Sequence, residues 1–115
     1  LEGNFAFAAG LQEMLLQSYA GFIEIMPAVP TEWKDASFEN LRTEGAFLVS
    51  AKKADGQVDE VKIVSEKGGV TKLKLPFKTH FVASNAGFKI KSAENGFLEL
   101  TANPGAVLVL KNGYE

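Results

Sequence analysis

Gly45-Ala46-Phe47-Leu48-Val49-Ser50-Ala51-Lys52-Lys53-Ala54-Asp55-Gly56-Gln57-Val58-Asp59-Glu60-Val61-Lys62-Ile63-Val64-Ser65 is the stretch whose reading decides the fold. Successive side chains of a strand point to opposite faces, so Phe47, Val49 and Ala51 share one face and Val61 and Ile63 share the returning one. Glu60, Lys62 and Val64 fall on the other side of the return. Asp55-Gly56 supplies the positive φ angles of a two-residue hairpin turn. The expectation is an antiparallel hairpin with one buried face.

Downstream the same grammar repeats. Gly68-Gly69 opens a turn before a strand at Val70 to Leu75, which Pro76 ends. His80 to Ser84, Phe88 to Lys91, Phe97 to Ala102 and Ala106 to Lys111 read as further strands, separated by Asn85-Ala86-Gly87, Asn95-Gly96 and Pro104-Gly105. Upstream, Phe22 to Met26 forms a short strand with Ile23 and Ile25 on one face, stopped by Pro27 and Pro30, and a loop then carries Trp33. Turn signals every 8 to 12 residues or so predict a mainly β chain, an antiparallel β-sandwich of about eight short strands.

Asn4 to Tyr19 reads differently. At about 100° per residue, Phe5, Phe7, Leu11, Met14, Leu15 and Leu16 belong to an apolar arc of roughly 220°. A helix resting on one sheet needs a stripe of little more than roughly 100°. The reading is therefore one N-terminal α-helix with protein on at least two sides, capped by Asn4 and left through Gly21. Such a helix, cut from its neighbours, predicts a self-associating chain.

The 115 residues suffice for one domain without disulfides, and there is no cysteine. Twelve basic and fourteen acidic residues give a net charge of −2, which attracts no phosphate backbone, so nucleic acid is not an expected partner. The apolar runs fall short of the roughly 20 residues a bilayer-spanning helix needs, so no membrane partner is expected. The single histidine, His80, has neither a second histidine nor a cysteine for a zinc site and reads as structural. No metal or other cofactor is expected. Glu39, Glu44, Asp59 and Glu60 alternate with basic residues and read as a solvated face. Trp33, Phe22, Tyr19 and Phe38 admit two readings, a sugar-stacking platform or filling of the helix–sheet joint, of which the joint is favoured. Arg42 is read as half of a buried ion pair, with Glu24, Glu44 or Glu32 as partner.

Three blocks carry a resemblance: Glu2-Gly3-Asn4-Phe5-Ala6-Phe7-Ala8-Ala9-Gly10-Leu11-Gln12-Glu13-Met14-Leu15-Leu16-Gln17-Ser18, Ile25-Met26-Pro27-Ala28-Val29-Pro30 with Trp33, and Leu41-Arg42-Thr43-Glu44-Gly45-Ala46-Phe47. In this order they resemble the C-terminal end of glycoside hydrolase family 95, which contains α-L-fucosidases and some α-L-galactosidases. The family has an N-terminal β-domain, an (α/α)6 barrel holding the active site, and a C-terminal β-domain. The resemblance implies that residues 1–20 end the barrel and that residues 21–115 are the C-terminal β-sandwich. It implies a non-catalytic fragment of an inverting hydrolase, packing on and stabilising the barrel in cis. The parent's substrate would be an oligosaccharide with terminal α-L-fucosyl or α-L-galactosyl groups, and its setting periplasmic or secreted.

Glu2 stands where the family usually has an aspartate that helps activate water, so it is the catalytic candidate of an incomplete site. One extra methylene displaces the carboxylate by about 1 Å, a shift that matters to rate. Either substrate geometry differs, activity is lost, or Leu1-Glu2 is foreign to the protein. Asn4 and Trp33 are the substrate-binding candidates. The alternative function is an independent carbohydrate-binding or protein-interaction sandwich using the Trp33 region.

Overall fold

The structure is a computed structural model that describes residues 16–19, 22–26, 32–43, 45–77, 81–92 and 96–113. These form eight β-strands: β1 Leu16–Tyr19, β2 Phe22–Ile25, β3 Ala36–Thr43, β4 Phe47–Ala54, β5 Gln57–Ser65, β6 Gly69–Lys74, β7 Phe81–Ser92 and β8 Phe97–Asn112. All belong to one sheet in the order β1-β2-β6-β8-β5-β4-β3, with β7 along the other side of β8. The edge strands β1 and β3 come within 8 Å of each other, so the sheet curls toward a barrel. Among the described residues the strands make one sheet rather than the two of a sandwich.

The central hairpin is as the alternation predicts. β4 and β5 are antiparallel, Phe47 facing Ser65 and Ala54 facing Gln57, and Asp55 and Gly56 have φ of 56° and 83°. Phe47, Val49, Ala51, Val61 and Ile63 are all buried. So are Ile23 and Ile25 of β2, while Phe22 and Glu24 are only partly covered. Burial of each large side chain contributes about 1.5–3 kcal/mol.

Residues 16–19, read from periodicity as the helix's last turn, instead form β1, paired with β2 from Leu16 opposite Ile25 to Tyr19 opposite Phe22. Leu16 is buried in the sheet's core. Four residues are too few to fix a period, and here pairing with an isoleucine-rich strand wins over local helical preference. Residues 4–15 of the expected helix lie outside the described residues, as do His80 and Glu44.

A second difference concerns strand length. Pro104-Gly105 and Asn85-Ala86-Gly87, expected to separate short strands, lie inside the 16-residue β8 and the 12-residue β7. β6 pairs with the first half of β8 and β5 with the second, on the same side, in one unbroken register: Val64 faces Val107 and, five residues on along both strands, Gly69 faces Ala102. Residues 103–106 have no paired residue on β5, β6 or β7, and β7 spans the same interval with Gly87 alone, between Ala86 opposite Val107 and Phe88 opposite Ala102. A crease therefore runs through the β5–β6 turn at Ser65–Gly68, β8 at Asn103–Ala106 and β7 at Gly87.

Its chemistry suits a bend. Pro104 has no amide to donate, which confines proline to edges and bulges. Gly105, Gly87 and Gly68 have φ of 81°, 94° and 80°. The fully buried Ser65 would be costly without a partner, but its Oγ accepts a 2.8 Å bond from the Gly68 amide and ties the turn. Leu98, Leu100, Ala102, Ala106, Leu108 and Leu110 keep facing the core on both sides of the crease.

Candidate functional site

Three surface features have enough built structure to be weighed as sites. The first is the Trp33 loop. The Gly56 amide donates to the Lys34 carbonyl (3.0 Å) and the Asp55 amide to Asp35 Oδ1 (3.2 Å), which clamps residues 34 and 35 onto the β4–β5 turn. Trp33 projects beside this clamp with 40% of its surface exposed. The same turn walls a cleft of about 210 Å³ between Met26, Lys53, Val58 and Phe77. Of the four aromatics weighed as a platform, the three whose side chains are described do not form one. Phe38 is in the core, and Phe22 meets Phe97 edge-to-face with ring centroids 5.1 Å apart. The side chain of Tyr19 lies outside the described residues.

The second feature is an open groove of about 370 Å³ along β3, β4 and β5. The strand β3 carries one extra residue relative to β4 between Phe38, opposite Ala51, and Leu41, opposite Val49. Asn40 takes up this bulge with φ of 56°, and its amide donates to Ser50 Oγ at 2.9 Å. The groove is lined by Glu39 and Asn40 of β3, Ser50 and Lys52 of β4, and Glu60 and Lys62 of β5.

The third is Arg42, which sequence reasoning placed in a buried pair with Glu24, Glu44 or Glu32. It instead binds Glu66 through two bonds, Nε to Oε1 at 3.1 Å and Nη2 to Oε2 at 2.9 Å, and the two side chains are 65% and 34% exposed. The partner was missed because it lies 24 residues away, brought close by strand pairing. Glu24 is paired with Lys74 at 3.3 Å. Hydrogen bonding from Arg42 holds the Glu66 carboxyl below its ordinary value, and the same bond holds the guanidinium above its own. A depressed carboxyl adds stability above its unfolded value and loses it as pH falls through the folded one. Wild type and Arg42→Ala should therefore differ slightly in urea midpoint at neutral pH, and the difference should vanish in acid and shrink with salt, as expected of an exposed pair.

Among the described residues no three carboxylate or imidazole groups are arranged to hold a metal ion. The described carboxylates include ion-paired and solvated examples: Glu24 and Glu66 in ion pairs, Glu39 and Asp59 exposed.

Comparison with known proteins places this arrangement. The model of the glycoside hydrolase family 95 C-terminal domain matches residues 17–110, from β1 to β8. The chain belongs to that family. Alpha-L-fucosidase 2 of Arabidopsis thaliana is 35% identical over 68 residues, which are 58% of this chain and 8% of that relative, so the chain spans only a small part of its length. The residues matched to this family 95 domain run from within β1 to within β8. Of the site residues read from the sequence, Glu2 and Asn4 lie outside the described residues. Trp33 stands on the pinned loop of the family 95 domain, exposed and not filling a joint within the described residues. The groove over β3 gave no sequence signal beyond Asn40, because a bulge in an edge strand is visible only once the strands are paired.

Proposed function

We propose that this chain is the non-catalytic C-terminal β-domain of a longer glycoside hydrolase acting on terminal α-L-fucosyl or α-L-galactosyl groups, and that it docks on and stabilises the catalytic barrel in cis. The family match over residues 17–110 carries this reading, and the name of the Arabidopsis relative supports the sugar class. The pinned, exposed Trp33 suits docking, since tryptophan on a rigid support is a common anchor of protein interfaces. Residues 1–15 would connect the sheet to the barrel, with Glu2 and Asn4 at the barrel's end.

The experiment has two arms. The chain alone should release no sugar from an aryl α-L-fucoside above buffer, and turnover that co-purifies with it would overturn the reading. The parent barrel made without residues 16–115 should lose soluble yield and melt at lower temperature, and adding this chain should restore both. Trp33→Ala should impair that restoration while leaving the domain folded. The exposure of Trp33 also favours a second reading, an independent carbohydrate-binding or protein-interaction module. Under that reading Trp33 fluorescence responds saturably to free sugar and the barrel is indifferent to the domain.

A further inference from the structure

We propose that the groove over the β3 bulge is a binding site for a neutral, polyhydroxylated ligand, a saccharide, distinct from the Trp33 loop and independent of whether the domain docks on a barrel. The first argument is architectural. A bulge re-aims side chains and often marks a functional strand. Here one extra residue in β3 puts Asn40 at φ of 56°, and the Ser50 hydroxyl holds it there by accepting its amide. Asparagine tolerates this conformation better than most residues. The result is a concavity of about 370 Å³, within the range of roughly 300–1,000 Å³ usual for small-molecule sites.

The second argument is chemical. Lys52 and Lys62 bring two ammonium groups, and Glu39 and Glu60 two carboxylates, to one groove. Cross-strand register sets Lys52 opposite Glu60 and Ser50 opposite Lys62. The ion pairs formed among the described residues are Arg42–Glu66 and Lys74–Glu24, so none ties these four charges to one another. Their donors and acceptors remain available, with the Asn40 amide group beside them. Two positive and two negative charges cancel, so the groove selects no net charge but offers charge-assisted hydrogen bonds in both directions. A hydroxyl both donates and accepts. A ligand with many hydroxyls and no charge matches that lining, whereas an anion or cation would meet as much repulsion as attraction.

The test is an amide chemical-shift titration of the intact chain with L-fucose, D-galactose and lactose, and with galacturonate as charged comparator. Saturable shifts centred on Asn40, Ser50, Lys52 and Lys62 are expected, with galacturonate binding no tighter than galactose. Glu60→Ala with Lys62→Ala, both on an outward face, should raise the apparent dissociation constant at least tenfold and leave the resonances of Ile23, Leu73 and Leu100 in place. No saturable shift with any neutral sugar would overturn the proposal. Shifts centred on residues 33–35 would overturn it in favour of the tryptophan loop, and galacturonate binding tenfold tighter than galactose would overturn the neutral-ligand assignment.

Discussion

Gly87→Ala should destabilise the domain by about 2–4 kcal/mol, the joint cost of an unfavourable left-handed backbone and an overpacked contact. At Gly87 φ is 94°, and a Cβ built there lies 2.8 Å from the Cβ of Ala106, closer than real side chains approach. Neither partner can swing aside, because Ala106 has no rotamer and is itself buried. Gly56→Ala serves as the control: its φ is 83° but nothing lies within 4 Å of the added carbon, so only the backbone term of about 1–2 kcal/mol remains. Urea denaturation of the two variants separates the steric part from the conformational part. Equal losses would mean that β7 slides away from β8 at the crease without resistance.

Phe47→Ala should cost about 3–5 kcal/mol, the range for deleting a fully buried phenylalanine. Phe47 is 1% exposed and heads the row of buried residues along β4. Small domains have roughly 5–15 kcal/mol in all, so the variant should be substantially unfolded on moderate heating. Phe47→Leu keeps most of the volume and should lose less than half as much. Calorimetry, or loss of near-ultraviolet circular dichroism on warming, measures both. Phe47 also contacts the position where Gly45 would carry a Cβ, at 3.2 Å, so the ring is packed on the turn side as well as within the core.

How much of this was legible beforehand differs by element. The β4–β5 hairpin was readable because two-residue periodicity and Asp55-Gly56 agree, and local and tertiary preferences then point the same way. The crease was not, because Pro104-Gly105 marks a place where regular pairing stops without saying whether the chain reverses or only bends. The even spacing of Leu98, Leu100, Ala102, Ala106, Leu108 and Leu110 held a clue that one strand runs through. Residues 16–19 illustrate the opposite failure: an apolar arc spanning residues 4–19 extended a helical pattern into four residues that β2 recruits by pairing. The family was legible in the Pro27 to Pro30 strand stop and the Leu41 to Phe47 block, while the candidate groove, made by the register between β3 and β4, was not.

The position of β8 bears on how the chain comes to be folded at all. Among the described strands it is the last in chain order and yet the middle of the sheet, flanked by β5, β6 and β7. Until Phe97–Asn112 has been made, β5 and β6 present open hydrogen-bonding edges, and Leu73 and Ile63 lack the leucines that cover them. Until then the strands already made keep sticky edges, the condition under which nascent β-proteins pair with each other or call on chaperones. Closure must come late and nearly all at once, as β8 joins both halves of the curl. A ribosome that stalls, or a stop codon that falls, shortly before Phe97 would yield not a smaller domain but an aggregate.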